Sequence, residues 1–275
     1  MPKRVIFVCS RKGGVGKTTF TRGLLEVYRG AGLKVAAFDG DGQVGQLVQY
    51  YGTRDHMNGG AVHPQQDPLV GIGYFDIRKE DDRDILLNAV ALNADVLLFD
   101  LPGEALTEIN VVSGKNARAA DAQKNAAMFF DAYRDAGYEP IVVIVISAIK
   151  ASVRGVISAI DAFGNNVNYV VVKSLAADPA DEFVIFDGSP KYPDFGEARR
   201  RLERVGGQVV NMPDMSGISY KVLDFYDLTF REALDSDKLL IADRIRVSAW
   251  LQNFADELKG SFLDIEVPTG SPVEA

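Results

Sequence analysis

Ten consecutive residues near the start have types and spacing that could do chemistry: Ser10-Arg-Lys-Gly-Gly-Val-Gly-Lys-Thr-Thr19. They follow a short apolar run, Val5 to Cys9, and open a segment of helical pattern, Lys17 to Gly30. Glycines let a backbone curl until several N–H groups face one anion. The start of a helix adds a partial positive charge at the same place. Lys17 supplies a full charge for the terminal phosphates of a nucleotide, and the Thr18 hydroxyl can ligate Mg²⁺. The expected binding loop is Lys12, Gly13, Gly14, Val15, Gly16, Lys17, Thr18 and Thr19. A second apolar run, Val35 to Phe38, ends in Asp39, with Asp41 two residues on. Carboxylates repel phosphate, so their place beside such a loop needs a reason, and an oxygen-loving cation that bridges the two supplies it.

The loop has Arg11 where a phosphate loop ordinarily has its first glycine, and a lysine follows at Lys12. Residues 12–19, Lys-Gly-Gly-Val-Gly-Lys-Thr-Thr, resemble the deviant Walker A loop of the ParA/MinD family of ATPases. That resemblance implies a P-loop NTPase fold, ATP and Mg²⁺ as ligands, and a role for Lys12 in reaching across a homodimer to the partner's nucleotide. Residues 39–43 resemble the family's Asp-x-Asp-Pro-Gln switch, with Gly42 in place of proline. By resemblance, Asp41 orients the attacking water and Asp39 supports the metal shell. The run from Val96 to Gly103 resembles the Walker B strand, so Asp100 would hold a Mg²⁺-bound water and Gly103 would leave room for the terminal phosphate. The implied catalytic set is Lys12, Lys17 and Asp41, and the implied metal set is Thr18, Asp39, Asp41 and Asp100. The family often reads adenine with an Asn after a later strand. Here Tyr169 to Val172 is followed by Lys173 and Ser174, so ATP rather than GTP rests on the family alone. The stretch from Val210 to Leu234 resembles plasmid-borne members linked to stability and conjugation.

The elements that must hold these residues follow from the hydrophobic pattern. Val5–Cys9, Val35–Phe38, Val96–Phe99, Ile141–Ile146 and Tyr169–Val172 are near-continuous Val/Ile-type runs, which mark strands buried on both faces. Leu69–Phe75, Phe183–Phe186 and Gln208–Val210 are weaker strand candidates. Between them, helical spacing covers Lys17–Gly30, Asp81–Leu92, Asn116–Ala136 and Val153–Phe163. Alternation of this kind predicts an α/β fold with a mostly parallel sheet and helices on both faces. Ligands of such sheets sit beyond the carboxyl ends of the strands, where the loop and the three aspartates fall. We read residues 1–275 as one domain, with a C-terminal helical extension at about 214–262. Within it, Leu239–Phe262 carries apolar residues at Val247, Leu251, Phe254 and Leu258 and is expected to dock on the core.

With 275 residues and a formal net charge of -8, the chain has no overall field that would draw nucleic acid or anionic membrane. Arg199, Arg200, Arg201 and Arg204 form a local basic cluster that either contacts DNA phosphates non-specifically or forms a solvated helix face laced with Glu197 and Glu203. The mixed charges of 239–262 lack the cationic bias of a membrane-surface helix. Cys9 is the only cysteine, so no disulfide forms within the chain and a cytoplasmic setting is expected. A lone cysteine inside a strand also argues against a shared iron–sulfur cluster. His56 and His63 complete no metal site of suitable spacing. Two functions remain. One is a nucleotide-switched dimer that partitions plasmids or positions cargo, with a partner protein stimulating hydrolysis. The other is an ATP-dependent synthetase that phosphorylates a carboxylate on the same scaffold.

Overall fold

The computed structural model describes residues 2–42, 45–55, 60–103, 105, 122–215 and 217–265. In chain order the strands are β1 (Lys3–Cys9), β2 (Val35–Asp39), β3 (Arg54–Asp55), β4 (Ala61–Val62), β5 (Gly73–Tyr74), β6 (Val96–Asp100), β7 (Tyr138–Ile146), β8 (Asn168–Ser174) and β9 (Gln208–Met212). The helices are α1 (Lys17–Gly30), α2 (Gln46–Tyr51), α3 (Asp84–Asn88), α4 (Ala122–Asp135), α5 (Lys150–Phe163), α6 (Val184–Asp187), α7 (Glu197–Arg204), α8 (Ile218–Phe225), α9 (Phe230–Asp235) and α10 (Ile241–Leu258).

Seven strands form one sheet in the order β5-β2-β6-β1-β7-β8-β9. Every pairing in it is parallel. β3 and β4 make a separate antiparallel pair. Alternate residues of each strand feed two cores. Val5, Phe7 and Cys9 face α3 to α7, through side chains such as Phe130, Val156 and Leu202. Ile6 and Val8 face α1, α2 and the three C-terminal helices, through Phe20, Leu24, Leu223, Val247 and Phe254. The C-terminal helices thus share a layer with α1, and α10 docks as its spacing predicts, with Trp250 buried in addition to Val247, Phe254 and Leu258.

Three expectations need correction. Phe183–Phe186 is not a strand: a 3₁₀ turn at Ala180–Glu182 leads into α6. Phe183 and Phe186 are both buried and Val184 is exposed, which is the three-residue spacing of a helix. The strand expected over Leu69–Phe75 shrinks to Gly73–Tyr74 at the sheet edge. The helix expected over Asp81–Leu92 is one short α-helical turn, α3, followed by 3₁₀ geometry at Ala89–Leu92. Of the long helix expected from Asn116, the first residues lie outside the described set.

Candidate functional site

The chain order and the strand order together make the cleft. β1 lies between β6 and β7. The chain leaves β1 to reach β2 on one side, and later crosses from β6 to β7 on the other. At such a reversal, the loops beyond the strand ends part and leave a crevice. A cleft of about 620 Å³ lies there.

The glycine loop forms one wall. The N-cap of α1 is Gly16, which has φ 97° and offers no side-chain cap, and no acidic residue stands in the following turn. The first N–H groups of α1 are therefore not claimed by a capping side chain and are available to an anion. Gly16 meets two demands that only glycine can. Its backbone is left-handed, and a Cβ there would stand 2.6 Å from the Met212 methyl carbon and 3.3 Å from the Ser174 hydroxyl. The loop is thus packed against the ends of β8 and β9. Gly13, Gly14, Val15, Gly16, Lys17, Thr18 and Thr19 all line the cleft. Lys12 does not line it and is exposed.

The opposite wall is acidic. Asp39 and Asp100 are register partners at the ends of β2 and β6, so both carboxylates emerge on the same side of adjacent strands. The Thr18 hydroxyl donates to Asp100 Oδ2 at 2.7 Å, and Thr21 donates to Oδ1 at 3.2 Å. Burial pushes the Asp100 carboxyl up to about 7; the negative charge of Asp39 pushes the same way, while the Thr18 hydrogen bond, Lys17 and the Thr21 hydrogen bond act against it. Asp39 is also raised by burial, opposed by N–H donors from Asp41, Val48 and Leu47. Those donors have a structural meaning. Asp39 accepts from Leu47 at 2.8 Å and Val48 at 3.3 Å, and so caps the start of α2, whose own N-cap is Gly45 and offers no side chain.

The acids fit a cation. Asp39 and Asp100 are buried and neighbouring, and neither forms an ion pair among the described residues. Buried carboxylates so placed are costly unless a positive charge joins them. No group of three His, Cys, Asp or Glu side chains able to hold a metal occurs among the described residues. The donors present, two strand-end carboxylates and the Thr18 hydroxyl, would suit an ion that takes one or two protein oxygens and completes its shell with phosphate and water, as Mg²⁺ does.

Lys17, Thr18, Asp39, Asp41, Asp100 and Gly103 are brought to one cleft. Asp41 holds a partner that the sequence did not announce. Its carboxylate pairs with Arg78, which also bonds Asp76 at 3.2 Å. Sequence reasoning also missed Gln46, Ser174, Met215, Tyr220 and Lys221, all of which line the cleft. They come from α2, the tips of β8 and β9, and α8; Ser174 follows the run compared for adenine reading and the last three fall in the stretch that resembles plasmid-borne members, but neither resemblance gives any of them a role. Of the arginine cluster, Arg199 pairs with Glu203 at 2.8 Å, Arg201 with Asp161 and Glu197 at 2.8 Å each, and Arg200 donates to the Phe195 carbonyl. Cys9 is buried, donates to the Val143 carbonyl, and has its thiol pushed up to about 12, which makes it inert. His63 is exposed; Gln43 and His56 lie outside the described residues.

A parallel sheet with a glycine loop between its first strand and first helix, facing strand-end carboxylates, defines a P-loop nucleotide-binding protein. Residues 6–178, well over half the chain, match the family model described as the CobQ/CobB/MinD/ParA nucleotide binding domain, and the chain belongs to that family. No curated protein matches the chain. Among solved structures, the MinC:MinD cell division protein complex of Aquifex aeolicus is 16% identical with a TM-score of 0.42, and the alignment covers 99% of each chain. The cell division ATPase MinD of Pyrococcus furiosus is 16% identical with a TM-score of 0.44, covering 93% of this chain and 99% of that one. A plasmid partition protein from Borrelia burgdorferi is 13% identical with a TM-score of 0.39, covering 74% and 98%. Likeness at these scores carries no argument about function, and membership rests on the family match. Among the described residues, no helix is long and apolar enough to cross a membrane.

Proposed function

We propose that the protein is a Mg²⁺-dependent ATPase, built as one domain, that acts as a nucleotide-switched homodimer in partitioning or positioning a cargo. One observation carries the reading: the Thr18 hydroxyl of the glycine loop is bonded to Asp100 on the facing strand tip, with Lys17 and Asp39 in the same cleft. In that arrangement the loop N–H groups and Lys17 bind the phosphates. Thr18, Asp100 and Asp39 hold the metal and its waters, and the metal neutralises charge on the terminal phosphates when bound. Asp41 aligns the attacking water, and Arg78 fixes where its carboxylate points. Little covalent chemistry is asked of the chain, since phosphoryl transfer is governed by positioning and charge. The exposed Lys12 is free to reach a second subunit's nucleotide. Hydrolysis then removes the charge it grips and loosens the dimer.

The test is sedimentation of the protein with ATP or GTP plus Mg²⁺, with and without DNA, alongside phosphate release. The reading expects an ATP-dependent dimer and slow turnover that needs no small acceptor. For Lys12→Ala it expects retained nucleotide binding through Lys17 but little dimer and at least tenfold less turnover. An unchanged ATP-dependent dimer in that variant removes Lys12 from the switch. Turnover that appears only with a carboxylate acceptor indicates the synthetase instead. Faster turnover on DNA would assign the arginine face of α7 to phosphate contacts; no response leaves it a solvated surface.

A further inference from the structure

The family match ends at residue 178, yet Met212, Pro213, Asp214, Met215, Gly217, Tyr220 and Lys221 line the same cleft. Tyr220 lies at its phosphate end, and Lys221 follows it in the lining. The Tyr220 hydroxyl is 3.1 Å from the hydroxyl of Thr19, which belongs to the glycine loop. Its ring lies 5.9 Å from the buried Arg22 guanidinium, whose Nε and Nη1 have no hydrogen-bond partner. Ser219 donates to the buried Asp243 of α10 at 2.8 Å, which sets the rotation of α8 and turns the next two side chains to the cleft.

The charge balance of the cleft gives this meaning. Its lining side chains include four acids, Asp39, Asp41, Asp100 and Asp214, against two cations, Lys17 and Lys221. A polyphosphate carries several negative charges, and a divalent cation held by Asp39 and Asp100 offsets only part of them, so a lining with excess acid favours each further cation able to reach the phosphates. Lys221 makes no ion pair among the described residues, whereas Arg78, nearby at Asp41, is already paired. On the reading of this cleft as a nucleotide site, we propose that Lys221 is a second phosphate-binding cation, with Tyr220 as its positioning residue, so that α8 is drawn to the glycine loop by a bound nucleoside di- or triphosphate. Lysine serves this role as a mobile point charge and needs no fixed fork geometry.

Isothermal titration with Mg²⁺-ADP and Mg²⁺-ATP tests it, using wild type, Lys221→Ala, Lys221→Arg and Tyr220→Phe. Loss of one charge-assisted contact should weaken ATP about tenfold in Lys221→Ala. Lys221→Arg should recover most of the affinity, and Tyr220→Phe should lose a severalfold part. The salt dependence of binding should fall in Lys221→Ala, a change that a structural role alone would not produce. Thermal midpoints without nucleotide should match wild type for Lys221→Ala, because the side chain is exposed. Equal affinity and equal salt dependence in wild type and Lys221→Ala overturn this inference alone. Failure of wild type to bind either nucleotide overturns the reading of the cleft, and this inference with it.

Discussion

At the scale of single residues, the site works through acids kept in a place that disfavours their charge. The raised Asp100 carboxyl has a direct consequence for stability. In the unfolded chain an aspartate titrates near 4, while in the fold burial holds Asp100 at about 7. Between those values the folded state keeps a proton that the unfolded state has lost, so folding is favoured at low pH. This contribution is fully present below about 4 and is lost as pH rises through about 7. We expect the melting temperature of the nucleotide-free protein to fall between pH 5 and 8, and to fall less in Asp100→Asn. Equal slopes in the two proteins would show that Asp100 is ionised throughout. Asp41 allows a cleaner catalytic test, since its side chain is partly open to solvent and pairs with the exposed Arg78. Asp41→Ala should bind nucleotide within a few-fold of wild type, yet lose at least a hundredfold in single-turnover phosphate release, the general range for a residue that positions the nucleophile. Unchanged release would take Asp41 out of the chemistry.

At the scale of elements, α2 is the part most directly tied to the acids. Its first turn hangs on the Asp39 carboxylate, and Gly45 approaches so closely that a Cβ there would fall on that carboxylate. Its far end is fastened to the C-terminal helices: Tyr50 donates to Asp224, its ring stacks 3.7 Å from the Arg22 guanidinium, and Gln49 donates to Asp227 at 2.6 Å. Gly45→Ala should therefore cost about 1–3 kcal/mol in urea denaturation, as overpacking against fixed groups does. Gly13→Ala, where nothing lies within 4 Å of the added carbon, should leave stability unchanged. Equal midpoints for the two variants would mean that Asp39 can yield. These ties explain what the sequence made legible. The glycine loop and Asp39, Asp41 and Asp100 could be read because each is local: an apolar run, its final residue and the turn after it. Arg78, Tyr220 and Lys221 reach the site through tertiary packing from positions tens to hundreds of residues away, and no local pattern marks them. Phe183–Phe186 departs from the expected strand for a related reason. Four apolar-rich residues fit a strand or a helical turn equally well until burial on the three-residue spacing decides.

At the scale of the whole molecule, the segments outside the matched family region complete the second core. α10 lies on α1, the helix that begins at the glycine loop. Phe254 meets Phe20 with ring centroids 5.1 Å apart and stacks on Trp250 at 5.0 Å. A Cβ on Gly23 would stand 2.7 Å from the Phe254 ring, so the two helices approach as closely as a glycine allows. Trp250 in turn donates its indole N–H to the Pro213 carbonyl at 2.8 Å, and Pro213 lines the cleft. Stability and nucleotide binding should therefore be linked through one aromatic cluster far from any phosphate. Phe254→Ala removes a fully buried ring and should cost about 3–5 kcal/mol in urea denaturation. Because Trp250 is the only tryptophan, its emission reports on the same cluster. Nucleotide should shift that emission in wild type by moving the Pro213 carbonyl, and the shift should shrink in Phe254→Ala measured below its unfolding transition. Saturating nucleotide should also recover part of the lost stability, since a ligand that binds only the folded state adds RT ln(1 + [L]/Kd). If Phe254→Ala unfolds at the wild-type midpoint, α10 is an appendage and the C-terminal helices play no part in holding the loop. A stability loss with an unaltered tryptophan response would keep the shared core but break its link to the cleft.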